Sequence, residues 1–391
     1  MKLIVQKFGG SSVSNISKII NVSQIITKVY NKGINVVVVV SAQGNTTNKL
    51  IEKMLEVNSN PSKREMDVLL AVGEQISIAL LTSYLEGLGY PAISLTGWQA
   101  GIYTNGVHKN ARIEYIDNSR IKKELKKNKI VIIAGFQGVT FNNDISTLGR
   151  GGSDTSAVAL AVSLNAKLCQ IFTDVDGVYT ADPRIVGAAK KIDEITFDEM
   201  LEMSSLGAQI LHNRSVELAK KYNVEIDVIS SFNQKPGTRV KEDINLEKNS
   251  VRGITVDNNI LVIDAKRYDD KFNVMYQLEE SNVIISGISL SRNEFGLIVN
   301  KDQKQEIIDL LNKNAVDFRY IDNVSKVSIV GSGLLSNNKV LAKLFKVLNE
   351  FKIAPYLILT GEIAVSIVID ETSAVEVMNA LHQEYKLGDD K

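Results

Sequence analysis

The sequence predicts an α/β protein in which a mostly parallel sheet between helices is followed by two ferredoxin-like βαββαβ units. Three observations predict it. Short apolar runs alternate with helix-length stretches as far as residue 173, the rhythm of a parallel sheet covered by helices. Residues 36–40 are consecutive valines, an unbroken β-branched run of the kind buried on both faces of such a sheet. Beyond Lys235-Pro236-Gly237-Thr238 the rhythm changes to two successive strand–helix–strand–strand–helix sets.

The elements follow in order. Residues 3–7 read as a strand ending in Phe8-Gly9-Gly10-Ser11-Ser12. Ile19, Ile20, Ile25, Ile26 and Val29 fall near helical spacing and predict a helix over 16–31, closed by Gly33. Strands are predicted at 35–41, 92–95, 130–134 and 168–173, and helices at 66–87, 116–127 and 154–164. Residues 241–249 are polar and read as a linker. The first tail unit has strands at 260–265, 284–289 and 297–299 with helices at 274–281 and 304–312. The second has strands at 326–330, 356–359 and 363–369 with helices at 339–351 and 372–384.

A chain of 391 residues holds two or three domains, expected here at 1–245, 257–320 and 324–388. A formal net charge of zero gives no sign of a nucleic-acid partner or a membrane-surface patch. A single cysteine, Cys169, excludes an internal disulfide and fits a reducing, cytoplasmic setting. No stretch reaches roughly 18–20 uninterrupted apolar residues, so no membrane span is expected. The three histidines, His108, His212 and His382, lack metal-ligand spacing, and no protein metal ligand is predicted.

Three turns carry chemistry. Paired glycines after a strand, Lys7-Phe8-Gly9-Gly10-Ser11, let backbone N–H groups approach a phosphate, with Lys7 as a point charge beside it. A tight turn with a solvated lysine is the plain alternative, and the spacing is not that of a Walker A loop. Gly149-Arg150-Gly151-Gly152-Ser153-Asp154 places a guanidinium fork, suited to a carboxylate, ahead of a helix that Ser153 or Asp154 can cap. Thr173-Asp174-Val175-Asp176-Gly177-Val178-Tyr179 ends a strand in a carboxylate-rich turn, and Asp182-Pro183-Arg184 follows. It suits a nucleotide or a hydrated metal, or is a surface turn.

Together these residues resemble the aspartate kinase family. Its K-F-G-G-[TS]-S-V motif stands here as residues 7–13, and its S-A-x-G-x-T-x-x segment as 41–48. Residues 72–77, 94–101, 135–138, the Arg150 and Asp174 loops and 207–212 also match, in family order. The resemblance implies the amino acid kinase fold followed by paired ACT domains. It implies ATP-dependent phosphorylation of the side-chain carboxylate of L-aspartate to 4-phospho-L-aspartate, the first step towards lysine, threonine, methionine and diaminopimelate.

Residue by residue, it implies that Lys7 and Asp154 are catalytic and that Gly9, Gly10 and Ser11 line the phosphates. Arg150 takes the α-carboxylate of aspartate and Glu74 its α-ammonium, with Ser41, Thr47 and Ser153 as hydroxyl donors. Thr173, Asp174, Tyr179, Arg184, Gln209 and Ile210 match nucleotide contacts. Mg²⁺ is expected with ATP, carried on the phosphates. Acting on an already ionised carboxylate, the enzyme needs positioning and charge stabilisation rather than a general base. A homodimer or dimer of dimers is implied, and lysine or threonine as effector at the ACT domains.

The chain departs from the family at Gln209 and Asn213, where lysine and proline are usual. Tyr268–Phe272 and Ser336–Lys339 lack the usual turns before the ACT helices. Two other readings stay open at this point: a different amino acid kinase, and a non-catalytic amino-acid sensor.

Overall fold

The computed structural model describes residues 2–208, 210–233, 235–242, 250–266, 276, 278, 281, 283–290, 294–314, 316–335 and 337–389. The chain divides into two compact units. One comprises Met1–Val178, Lys191–Ser204 and Gln209–Ile244; the other comprises Tyr179–Lys190, Ser205–Ala208 and Asn245–Lys391.

In the first unit β1 (Leu3–Phe8), β2 (Asn35–Val40) and β3 (Ala92–Leu95) enter a large sheet. A small sheet starts with β4 (Ile102–Thr104) and β5 (Ile113–Ile116). After β6 (Ile130–Ala134), β7 (Gln137–Val139) and β8 (Ile145–Thr147) complete it. The large sheet continues with β9 (Leu168–Thr173), β10 (Glu194–Thr196), β11 (Glu225–Ser230) and β12 (Thr238–Lys241). Its order is β10-β12-β11-β9-β1-β2-β6-β3, parallel except where β11 meets β12. The helices are α1 (Ile16–Tyr30), α2 (Thr46–Val57), α3 (Lys63–Leu70), α4 (Val72–Gly87), α5 (Ser119–Leu125), α6 (Gly152–Ser163), α7 (Phe197–Ser205) and α8 (Asn213–Tyr222).

The valine run behaves as expected. Val36 to Val40 are all fully buried, each contributing on the order of 1.5–3 kcal/mol. Even-numbered valines pack with Ile19, Val22, Ile25 and Ile26 of α1 and Ile78, Leu81 and Leu85 of α4. Asn15 caps α1 by accepting the Lys18 N–H at 3.0 Å, which fixes where the helix begins.

Two predicted helices are corrected. The stretch 66–87 is two helices broken at Ala71, whose carbonyl takes the side-chain amide N–H of Gln137 at 2.8 Å. Lys63–Gly87 is long and apolar enough to cross a membrane, and half of its most apolar window is buried inside the unit. The predicted helix at 116–127 is shorter, because residues 113–116 are paired as β5 against β4.

The second unit holds two antiparallel sheets. Its elements are β13 (Ser250–Asp257), β14 (Ile260–Lys266), β15 (Ile285–Leu290), β16 (Glu294–Asn300), α9 (Lys304–Lys313) and β17 (Phe318–Ile321). They continue with β18 (Val324–Ser332), α10 (Asn338–Glu350), β19 (Leu357–Thr360), β20 (Ala364–Asp370) and α11 (Ala374–Glu384). The sheet orders are β15-β16-β14-β17 and β13-β18-β20-β19. Each is a ferredoxin-like sheet, but the modules are not simply consecutive: β13, ahead of the first, supplies the outer strand of the second. The predicted helix at 274–281 and the turn at 268–272 lie, but for single residues, outside the described residues. Tyr179–Lys190 packs within this unit: Ala181 and Val186 join Val377 and Leu381 in its core. The Thr180 hydroxyl lies 2.9 Å from His382 Nε2.

Candidate active site

Parallel sheets of this type gather their sites at the carboxyl ends of the strands, and several of the candidate residues of the first unit lie there. Lys7 is the penultimate residue of β1, paired in register with Val39 of β2 and Ile171 of β9. Its Nζ lies 2.7 Å from Asp154 Oδ1, and both side chains are nearly buried, at 11% and 13% exposure. Asp154 sits in the first turn of α6, where the helix dipole favours a negative charge. The left-handed Gly151 (φ 67°) starts that helix, and a Cβ there would overlap the His212 ring. His212 Nδ1 is buried without a hydrogen-bond partner among the described residues, and burial lowers the imidazole's proton affinity.

The phosphate-type loop is tightly drawn. The Gly9 N–H is spent on the Phe172 carbonyl at 3.2 Å, so the N–H groups of Gly10 and Ser11 remain as candidate donors. The Gly10 carbonyl accepts the Gly44 N–H at 3.0 Å, and a Cβ at Gly10 would sit 2.6 Å from the Ala42 carbonyl oxygen. Glycine is therefore required there by close backbone approach.

Ser41 N–H donates to the Phe8 carbonyl at 3.1 Å, which brings the ends of β1 and β2 together. Glu74, in the first turn of α4, is 3% exposed and accepts the Ala42 N–H at 3.0 Å. Its other oxygen, Oε2, is buried without a hydrogen-bond partner among the described residues. Burial pushes the Glu74 carboxyl up to about 8, only partly opposed by the Ala42 N–H. Gly135, just after β6, donates its N–H to the Val40 carbonyl, and a Cβ there would lie 2.8 Å from Ser153 Oγ. Lys7, Ser41, Glu74, Ser153 and Asp154 thus share one edge of the sheet. Thr47 is half-buried in the first turn of α2, beside the Gly44 turn. Arg150 is exposed on its glycine-flanked loop, immediately ahead of Ser153 and Asp154.

At the end of β9 the Thr173 hydroxyl donates to the exposed Asp174 carboxylate at 3.1 Å. The Thr173 carbonyl accepts the Ser231 N–H, and Ser12 bonds Ser231 at 2.8 Å. Thr173 is thereby tied to the glycine loop. Ile210 is half-buried in the turn ahead of α8, and Gln209 lies outside the described residues. Tyr179 and Arg184 belong to the second unit, where Arg184 is exposed and paired with Asp182 at 2.7 Å.

Sequence reading passed over Lys18. Its ammonium donates to the Ser11 carbonyl at 2.9 Å and lies 4.7 Å from the centre of the half-exposed Phe232 ring. Its position on α1, one turn past the Asn15 cap, was the available signal.

Fold and site together define the class of the protein: residues 2–230 match the amino acid kinase family and residues 327–385 an ACT domain. Over its whole length the chain is 44% identical to the aspartokinase of Geobacillus stearothermophilus, covering 98% of that protein. It superposes on E. coli aspartokinase III in complex with aspartate and ADP (R-state) with a TM-score of 0.83 at 24% identity. That match covers 98% of this chain and 99% of the other. The lysine and aspartate complex (T-state) of the same enzyme gives 0.79 at 24% identity, with the same coverage. This chain belongs to the aspartokinase family.

Proposed function

We propose that this protein passes the γ-phosphoryl group of ATP to the side-chain carboxylate of L-aspartate, releasing ADP and 4-phospho-L-aspartate. The observation that carries this reading is the near-buried Lys7–Asp154 pair at 2.7 Å, set beside a glycine loop at the carboxyl edge of the sheet. The acceptor oxygen is already ionised, so the chemistry asks for charge at the transferring group and for alignment. Lys7 meets the developing charge, and Asp154 holds its ammonium in place. The Gly10 and Ser11 N–H groups, with Thr173 and Asp174 beside them, fit the nucleotide end.

At the acceptor end Glu74 and Arg150 offer opposite charges to a zwitterion, with Ser41, Thr47 and Ser153 as hydroxyl donors. Mg²⁺ would enter on the phosphates with its own waters. Asp154 is committed to Lys7 and Asp174 lies open to solvent, an arrangement that suits a metal held chiefly by phosphate. A homodimer and a lysine or threonine effector at the ACT unit complete the reading.

ADP release by the full chain tests it, measured with ATP, Mg²⁺ and aspartate, glutamate, acetylglutamate or a nucleoside monophosphate in turn. Aspartate-dependent release that falls on adding lysine or threonine is expected. Release with another acceptor and none with aspartate would reject it. Arg150→Lys should raise KM for aspartate roughly tenfold with ATP affinity intact, because an ammonium cannot reproduce the two-pronged contact. An unchanged KM removes Arg150 from the acceptor site.

A further inference from the structure

Asp67 lies on α3 and is fully buried, yet nothing in the reaction above uses it. Its carboxylate is a junction. It accepts the Thr147 hydroxyl at 2.6 Å and the Thr147 N–H at 3.1 Å, from the last residue of β8. It accepts the Lys109 N–H at 3.1 Å, and His108 Nδ1 lies 2.8 Å away. The residues that follow Thr147 are pinned as well. Leu148 donates its N–H to the Phe136 carbonyl at 2.8 Å, and its own carbonyl takes Arg214 Nη1 at 2.7 Å. Arg214 also holds the Ala111 carbonyl at 3.0 Å. Gly149 rests on the Lys109 backbone, where a Cβ would lie 3.0 Å from the carbonyl oxygen. The next residue is the exposed Arg150.

We propose that Asp67 is the positioning residue for Arg150: it locks Thr147 to the Lys109 segment and so fixes the loop from which the guanidinium reaches the acceptor. This rests on the reading of Arg150 as the group that takes the acceptor's α-carboxylate. The chemistry explains why an acid stands here. Donors from two segments converge on one side chain, and only a carboxylate accepts at every one of its sites. An amide of the same shape would turn an NH₂ group towards one of those donors and leave it unmet. Simple adhesion between α3 and β8 needs no such group, since apolar packing holds elements together at lower desolvation cost. A carboxylate adds a fixed direction, which a loop carrying a recognition arginine requires.

The test uses the full chain and three variants: Thr147→Val, Asp67→Asn and Arg150→Ala. Steady-state KM for aspartate and for ATP, kcat and thermal midpoint are measured for each. Thr147→Val keeps volume and removes one donor, so it decides the matter should Asp67→Asn fail to fold. Both are expected to raise the aspartate KM by roughly 3- to 10-fold, about the net worth of one ordinary hydrogen bond and less than that of the charge-assisted bond itself, since the loss reaches Arg150 only through the loop, with the ATP KM and kcat within about twofold. Arg150→Ala should raise the aspartate KM further, and adding Thr147→Val to it should change little. If Arg150→Ala raises the aspartate KM and Thr147→Val does not, the proposal is overturned and the role of Arg150 stands. The same holds if Thr147→Val raises both KM values alike. If Arg150→Ala leaves the aspartate KM unchanged, the reading of Arg150 fails and the proposal falls with it.

Discussion

Lys7→Ala is expected to lower kcat by at least about 10²-fold, the loss typical of removing one preorganised group from developing charge. Asp154→Ala should do much the same through a different route, since it frees the Lys7 ammonium from the position that the 2.7 Å contact fixes. Because the two act as one unit, the double variant should be little slower than the worse single. Stability needs separate accounting. Both side chains are close to buried, and removing one leaves its partner charged and alone, at a cost of about 3–5 kcal/mol. The double variant removes both charges and should recover part of that loss. Thermal midpoints and kcat for the three variants therefore separate folding from catalysis. Turnover near normal in both single variants would remove the pair from the mechanism.

Much of this was legible in the sequence because it is local. The valine run declares a buried parallel strand, and the paired glycines declare a tight turn after β1, although the approach of the Ala42 carbonyl to Gly10 shows only in the fold. The resemblance then brought Lys7 and Asp154 together from distant stretches of the first unit. What stayed hidden depends on long-range partners. β4, β7 and β8 are three residues each, too short for an alternation to register. No residue of α2 is buried, so packing offers no check on an apolar pattern there. β13 finishes a sheet whose other strands begin only at Val324, a pairing that local pattern cannot announce. Asp67 carries no local signal in the sequence, and only the arrival of β8 and the Lys109 segment makes it a junction. Glu74 is the sharpest case. Its place on a helix was readable, but the break at Ala71 that puts it in a first turn was not, and its proton affinity is set by burial that no neighbour in sequence supplies.

That proton affinity gives the second large effect. With the carboxyl pushed up to about 8, the protonated form of Glu74 predominates at pH 7 in the absence of substrate. If Glu74 takes the α-ammonium as proposed, the charged form is needed, and aspartate draws a proton off as it binds. The aspartate KM should then fall about tenfold per pH unit up to pH 8 and level off above it. Glu74→Gln can still accept the Ala42 N–H, but it offers no charge. Its aspartate KM at pH 8 should be about 10- to 10²-fold higher than that of the parent and should not vary with pH in this way. Stability moves oppositely. The folded pKa exceeds the ordinary carboxyl value of 4.5, so the folded state binds the proton more tightly. That contribution is complete below about pH 4.5, drains away as pH rises towards 8, and is constant beyond. Glu74→Gln has no proton to lose, so its thermal midpoint should gain on the parent's steadily between pH 5 and 8. An aspartate KM that stays flat from pH 6 to 8 in the parent would mean that the ammonium is held by some other group.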